Sequence, residues 1–175
     1  MWLRLYKAVL TGCAFLCLVP PCHAEPAVPV STDLQQDGQL ARARRLPLLL
    51  EFSATDCPYC QQVEQDFLVP LLINAAYRDR ILVRRLLVNP GTAVTDFDGV
   101  RRSAGELVQR YRARVTPTLV FLDATGHELT EHLVGISTPE LYGGYLDACI
   151  DTALLQIRAP DQLVAYAGCS AVHAR

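Results

Sequence analysis

The segment PLLLEFSATDCPYC, residues 47–60, joins a short apolar run to a closely spaced pair of cysteines. Residues 48–52 have the length and composition of a strand, and the preceding proline is tolerated at a strand's first position. Residues 53–56 predict a turn. From Pro58 onward apolar residues recur every four positions as far as Leu71, which predicts a helix that begins at the cysteines.

The position of the cysteine pair predicts a thiol–disulfide redox site. The reacting form of a cysteine is the thiolate, and the unpaired N–H groups at a helix N-terminus favour negative charge. We therefore expect Cys57 to be the nucleophile, with Pro58 at the first helical position, where a missing N–H costs nothing. Cys60 lies one turn further along the same face, so it is placed to resolve a mixed disulfide on Cys57.

A structural disulfide and half of a zinc site are the two alternatives to a redox pair. Zinc usually takes four ligands, often from two such pairs, and the sequence contains no second Cys-x-x-Cys and no His-x-x-x-His. We therefore predict a redox pair and no bound metal. A metal-handling module, such as a copper chaperone, would need a third ligand, for which His127 and His132 are candidates by type. A non-catalytic binding module with an inert disulfide is the third hypothesis.

The first 24 residues predict a secretory signal peptide. Arg4 and Lys7 supply the positive charge, residues 8–19 are apolar, and small residues favour cleavage after Ala24. The apolar stretch is short for a bilayer span, so we expect a periplasmic protein with no stable membrane span after cleavage. A retained N-terminal anchor, or a lipoprotein modified at Cys13, is the alternative.

The size and charge of the chain limit the kinds of partner that it can bind. Its 175 residues suffice for one domain with a sizeable core. Loss of the signal removes two of the 16 basic residues and leaves 14 against 18 acidic ones, a net charge of −4. A mildly acidic chain without a basic stripe offers no electrostatic surface for nucleic acid. The sequence predicts no cofactor.

The cysteines outside the redox pair divide between the signal and the mature chain. Three of the seven lie in the predicted signal, and four remain after cleavage: Cys57, Cys60, Cys149 and Cys169. An even number in an oxidising compartment permits a second, structural disulfide between Cys149 and Cys169. A free, buried Cys149 within a helix is the alternative.

Helices and strands alternate along the mature chain, which predicts an α/β fold. The predicted helices span residues 33–45, 58–79, 104–112 and 139–157, with a kink or break at Pro70 in the second. The predicted strands span residues 48–52, 81–88, 118–123 and 128–134, and residues 96–99 are expected to form an exposed loop. A parallel pair joined by a crossover helix, plus an antiparallel hairpin, gives a mixed central sheet with helices on both faces.

The domain organisation follows from these elements. We predict a signal peptide at residues 1–24, a linker at 25–32, one α/β domain at 33–157 and a tail at 158–175. The tail contains a short predicted helix at residues 161–166.

A second group of residues extends the pattern and resembles the thioredoxin superfamily. Glu51 stands six positions before the first cysteine, Thr116-Pro117 directly precedes an apolar strand, and Gly126 and Gly135 follow in order. Each feature alone is weak, but together and in this order they are specific. The resemblance covers most of the mature chain and implies a thioredoxin-like three-layer sandwich with a mixed central sheet.

The resemblance also implies roles for single residues. Pro117 matches the cis proline that faces the redox pair in this family, and a cis peptide costs little only before proline. Backbone groups of Thr116, together with Pro58 and Tyr59, are implied to bind an extended substrate segment. Glu51 matches the buried acid that assists proton transfer at the second cysteine, and burial should raise its pKa. A trans proline on an edge strand and a solvated carboxylate are the alternatives.

The chain is most similar to the exported thioredoxin-like proteins of bacteria. Their activity implies a thiol:disulfide oxidoreductase that acts on protein disulfides and exchanges electrons with a membrane donor. The chain departs from cytosolic thioredoxins in having Asp56 before the first cysteine and Pro-Tyr between the two. The direction of exchange depends on the reduction potential, and we expect a reductase.

Overall fold

A four-stranded mixed sheet lies at the centre of the computed structural model, which describes residues 26–136, 138–159 and 169. The predicted signal peptide, the short helix predicted at residues 161–166 and most of the tail lie outside the described residues. The elements follow one another as α1 (Leu34–Arg44), β1 (Leu48–Ser53), α2 (Pro58–Val63), α3 (Val69–Ile73), β2 (Leu82–Leu87), β3 (Ala93–Thr95), β4 (Arg101–Ser103), α4 (Ala104–Arg110), β5 (Thr118–Leu122), β6 (Leu133–Val134) and α5 (Pro139–Arg158).

The central sheet has the strand order β2-β1-β5-β6. Strand β1 runs parallel to β2 and antiparallel to β5, and β6 runs antiparallel to β5. The parallel pair requires a crossover, which α2 and α3 supply. The predicted α/β class and mixed central sheet are therefore confirmed.

Each strand presents alternate residues to two separate apolar layers. Leu49 of β1 packs with residues of α2, α3 and α5, whereas Leu48 and Leu50 pack with residues of α1 and α4. All six residues of β1 are buried, as expected for a strand covered on both faces. Glu51 lies on the same side of β1 as Leu49, so it faces the layer that contains the cysteine helix.

The helix after the cysteines is shorter and less regular than its sequence predicts. The prediction that this helix reaches residue 79 is wrong. Helix α2 continues through a π-helical turn, Glu64–Leu68, into α3, which ends at Ile73. Pro70 has no N–H to donate, so a regular α-helical ladder cannot continue through it. The Val69 N–H bonds instead to the Glu64 carbonyl, one residue further back than in an α-helix. The predicted break at Pro70 thus takes the form of a widened turn.

Residues 96–99, predicted as an exposed loop, begin with a buried acid. They form the turn between β3 and β4, and Asp96 is only 1% exposed. Its Oδ2 accepts hydrogen bonds from Arg102 and Arg110, each at 2.5 Å. A buried carboxylate needs such opposite charges to offset its lost hydration. The two arginines therefore explain why Asp96 is buried, whereas Asp98 and Gly99 are exposed as predicted.

The strand predicted at residues 128–134 is mostly irregular. Only Leu133–Val134 form a ladder with β5, and Glu128 adds a single bridge to Leu122. The prediction is therefore correct for the position of the hairpin but too long for its second strand.

Residues 28–31 belong to the fold, although the sequence predicts a linker there. They lie along the outer edge of β2, where the Arg85 N–H donates to the Pro29 carbonyl and the Ser31 N–H donates to the Arg85 carbonyl, both at 2.8 Å. Val28 is buried in the apolar layer that contains α5. The segment gives β2 a hydrogen-bonding partner on the side away from β1.

Helix α5 is 20 residues long and carries one half of a second disulfide, between Cys149 and Cys169. Both cysteines are buried in the apolar layer beside the sheet. The bond closes a segment with a sequence separation of 20. Within residues 26–136 and 138–159, no helix combines the length and apolar character needed to cross a bilayer.

Removal of the second disulfide should destabilise the domain without touching the redox pair. We expect the double substitution Cys149→Ala and Cys169→Ala to lower the free energy of unfolding by about 3 kcal/mol, because a loop of this length restricts the unfolded chain. Chemical denaturation of the oxidised protein, followed by circular dichroism, measures the change. An unaltered unfolding midpoint would contradict a stabilising role for this bond.

Candidate functional site

The cysteine pair lies at the start of helix α2, after the loop that follows β1. Asn89 holds this loop, because its side chain accepts a hydrogen bond from the Thr55 N–H and donates one to the Thr55 hydroxyl. Cys57 is the N-cap of α2, and its Sγ accepts a hydrogen bond from the Cys60 N–H at 3.1 Å. The two cysteines form a disulfide with their Cα atoms 5.2 Å apart. Pro58 occupies the first helical turn, as its sequence position predicts.

The two cysteines of the redox pair are both largely buried but differ in residual exposure. Cys57 retains 8% exposure, whereas Cys60 retains 1%. Pro58 and Tyr59, between them, are exposed, and the Tyr59 side chain is among the most accessible apolar groups of the described chain. An incoming thiolate or disulfide can therefore reach Cys57 more readily than Cys60, and the exposed acid Asp56 stands directly before it.

A segment from the far side of the sequence faces Cys57. The Thr116–Pro117 peptide is cis, and the Thr116 hydroxyl donates a hydrogen bond to the Cys57 Sγ at 3.6 Å. Pro117 is buried at the start of β5, and its carbonyl accepts a hydrogen bond from the Gly135 N–H at 2.8 Å. The structure thus brings together Cys57, Thr116 and Pro117, which lie about sixty positions apart in the sequence.

Two exposed valines beside this segment were not identified from the sequence. Val115 precedes Thr116, and Val134 pairs with Thr118 in the ladder between β5 and β6. Both side chains are about half exposed. With Tyr59, they give the surface around Cys57 apolar groups suited to a peptide substrate. Only their position next to the cis proline, which requires the fold, singles them out.

Glu51 is buried behind the redox pair, on the face of β1 that packs against the helix layer of α2. It has no measurable exposure, and neither of its carboxylate oxygens has a hydrogen-bond partner among the described residues. Burial raises the pKa of Glu51 to about 8; the negative charge of Glu64 adds to this rise, whereas the positive charge of Arg85 and the nearby Ser53 hydroxyl, which itself bonds to Glu64, oppose it. A carboxyl group that titrates near neutral pH is suited to both giving and accepting a proton.

An ion pair next to Glu51 was also missed in the sequence. The Arg85 Nη1 donates to both oxygens of Glu64, at 2.8 and 2.7 Å. The Ser53 hydroxyl donates to the same carboxylate at 3.3 Å. Glu64 follows Cys60 by one helical turn, so its spacing was a usable signal. Arg85 gave no such signal, because the strand register that brings it here is not written in the local sequence.

The histidines considered as metal ligands both lie in the segment after β5. His127 is highly exposed in the turn after β5, at the opposite end of that strand from Pro117. His132 lies 3.1 Å from Glu128. No three His, Cys, Asp or Glu side chains are grouped to hold a metal in the part of the chain that the structure describes. The metal-handling hypothesis gains no support from this arrangement.

The chain matches one family model and is similar to several solved structures. A family model described as a thioredoxin-like domain matches residues 34–150. A solved thioredoxin from Malassezia sympodialis (Mala s 13) is 20% identical, with a TM-score of 0.49, and the match covers 76% of this chain and 98% of that one. Trxlp from Edwardsiella tarda is 24% identical, with a TM-score of 0.44, over 67% of this chain and 95% of that one.

Mitochondrial thioredoxin 3 from Saccharomyces cerevisiae is a third similar structure. It is 22% identical, with a TM-score of 0.45, and the match covers 69% of this chain and 94% of the yeast protein. Comparison with curated proteins gave no match.

The raised pKa of Glu51 should make stability fall with rising pH. Between about 4.5 and about 8, an unfolded chain has released this proton while the folded protein retains it. The free energy of unfolding should therefore decrease by up to about 1.4 kcal/mol per pH unit in this interval. Glu51→Gln should remove this component, so the free energy of unfolding of the variant should rise relative to that of the wild type as the pH increases. If denaturation shows the same pH dependence for both proteins, Glu51 does not titrate in this way.

Proposed function

Because the chain belongs to the family of thioredoxin-like domains, we propose that it is an exported reductase of protein disulfides. Thiol:disulfide exchange itself is supported by the family and by the disulfide at the Cys-x-x-Cys site. The single observation that carries the proposed mechanism is the greater exposure of Cys57, at 8% against 1% for Cys60, next to the exposed residues Pro58 and Tyr59. This inequality assigns attack to one cysteine and resolution to the other.

The reaction consumes two thiols of the protein and one disulfide of the substrate. The Cys57 thiolate attacks a substrate sulfur, so a mixed disulfide forms and the other substrate sulfur leaves as a thiolate, which takes a proton from water. Cys60 then loses its proton to Glu51 and attacks the Cys57 sulfur. The Cys57–Cys60 bond forms and the second substrate sulfur leaves as a thiolate, which is protonated in turn. The substrate gains two electrons, and the protein loses them.

The substrate is expected to bind as an extended segment. Thr116 lies beside Cys57 and before the start of β5, so its backbone groups are available to pair with a partner. The apolar side chains of Tyr59, Val115 and Val134 add contact area around the reacting sulfur. A protein disulfide carries neighbouring residues that can contact these side chains, whereas a small disulfide does not.

The reductase direction is supported by the charges near the pair. An oxidant of this kind owes its strength to a stabilised thiolate in the reduced form. Here the exposed acid Asp56 directly precedes Cys57. Negative charge disfavours a second negative charge, so this acid opposes the thiolate, favours the disulfide form and makes the dithiol a better electron donor. A dithiol protein in the membrane is the proposed source of electrons.

Export is supported by two separate features. The first is the N-terminal sequence, with its positive charges, short apolar stretch and Ala24. The second is the buried Cys149–Cys169 disulfide, since structural disulfides form in oxidising compartments and are rare in the bacterial cytosol. Periplasmic location and cleavage after Ala24 are both part of the proposal.

Substitution of each active-site cysteine should have a different effect. The reduced wild-type protein should reduce insulin with dithiothreitol as donor. Cys57→Ser should lose this activity, because no accessible nucleophile remains. Cys60→Ser should also lose turnover, and when the reduced variant is mixed with insulin without dithiothreitol it should retain a covalent mixed disulfide, visible on a non-reducing gel and released by dithiothreitol.

The matched control is the double substitution Cys149→Ala and Cys169→Ala, which leaves the redox pair intact and should keep insulin reduction. A Cys60→Ser protein that traps no partner would contradict the assignment of attack to Cys57. An inert disulfide that resists dithiothreitol in the wild type would instead support the binding-module hypothesis.

Processing of the N-terminus should follow the predicted signal. Expressed from its full sequence in a Gram-negative bacterium, the protein should appear in the periplasmic fraction and begin at Glu25, as measured by mass spectrometry. Ala24→Phe should block cleavage, because the processing site takes only small residues. Membrane retention that disappears in Cys13→Ser would show a lipoprotein instead, and recovery of the uncleaved chain from the cytosol would contradict export.

A further inference from the structure

The side chains of Glu51 and Arg85 are neighbours in the sheet but do not pair. Glu51 and Arg85 are register partners in the parallel ladder of β1 and β2, so they point to the same face. A buried carboxylate beside a guanidinium would ordinarily bind it. Instead, Nη1 of Arg85 donates to both oxygens of Glu64, and both Glu51 oxygens remain without a partner among the described residues.

The backbone fixes Arg85 in this position. On one side it belongs to the ladder with β1, and on the other its N–H and carbonyl bond to Pro29 and Ser31. Two carboxylates are therefore candidate partners for its guanidinium: Glu51 on the next strand and Glu64 on the π-helical turn. Glu64 reaches it from the widened turn after α2, and its side chain remains 13% exposed.

We propose that Glu64 is a positioning residue of the redox site, which holds the guanidinium of Arg85 and so leaves Glu51 without a counter-ion. This inference rests on the proposed function, in which Glu51 exchanges a proton with Cys60. In the oxidised protein, a protonated Glu51 can protonate the Cys60 sulfur when an electron donor attacks Cys57. In the reduced protein, the ionised form can accept that proton again. An arginine bound to Glu51 would stabilise its ionised form and weaken it as an acid.

The groups that face Glu51 come from every element packed against it. The helical side supplies Glu64, β2 supplies Arg85, and α5 supplies Tyr142, whose buried hydroxyl has no partner among the described residues. Burial and the charge of Glu51 both raise the pKa of Tyr142, so this phenol is neutral and supplies no charge. On β5, the register partner of Glu51 is the apolar Leu119. Arg85 is therefore the only cation on the described elements that is placed to neutralise Glu51.

The test is a pH titration of the Glu51 carboxyl carbon by NMR in the oxidised mature protein with labelled glutamate. The signal is assigned by its loss in Glu51→Gln. Glu64→Gln should lower the midpoint of Glu51 by about one pH unit or more, because Arg85 becomes free to pair with it. In an Arg85→Gln background, the same Glu64→Gln substitution should produce only a small part of this shift.

Two further variants test whether the effect depends on the position and reach of the Glu64 side chain. Asp66→Asn removes an exposed acid two residues further along the same turn and should leave the Glu51 titration unchanged. Glu64→Asp keeps the negative charge but shortens the side chain by one methylene group, so it should also lower the midpoint. This variant serves equally if Glu64→Gln does not fold.

The outcomes separate this inference from the proposed function. An equal shift in the wild-type and Arg85→Gln backgrounds would show that Glu64 acts only through its own charge, and would overturn the inference. An unchanged midpoint in Glu64→Gln or Glu64→Asp would overturn it as well. The titration uses oxidised protein without substrate, so its result is independent of whether the wild type reduces insulin.

Discussion

The complete burial of strand β1 is the constraint from which the redox site is built. Because this strand is covered on both faces, its alternation is fixed: Leu48 and Leu50 face one apolar layer, and Leu49 and Glu51 face the other. The end of β1 at Ser53 is equally fixed, so the loop that follows places Cys57 at the start of helix α2. A slip of one residue would turn Glu51 to the opposite layer and disconnect the acid from the cysteines. The chemistry of the site is thus a consequence of register.

The features that could be predicted from the sequence are those with a local signal. Apolar runs indicated the strands, Pro58 and the cysteine spacing indicated the helix start, and Thr116-Pro117 before a strand indicated the second half of the site. Each of these signals is contained in a few consecutive residues. The family resemblance then connected segments that local patterns alone could not bring together.

The features that were missed depend on contacts between distant segments. The pairing of Arg85 with Glu64 and the burial of Asp96 by two arginines follow from strand register and helix position. Gly38, which weakens the first helix by propensity, is required because a Cβ atom there would lie 2.5 Å from the Ala124 carbonyl oxygen. In each case the tertiary contact outweighs the local preference, and no window of sequence contains both partners.

Residues 28–31 have a consequence for the molecule as a whole. They occupy the outward N–H and carbonyl of Arg85 in the middle of β2, and the Ser31 hydroxyl donates to Asp37 at 2.6 Å, which holds them in place. Without them, β2 would present a bare edge of N–H and carbonyl groups, which is a template for strand exchange with another molecule. These few residues at the beginning of the domain therefore protect the edge of β2 from pairing with a strand of another molecule. A shortened fragment that omits them would expose this edge and aggregate more readily.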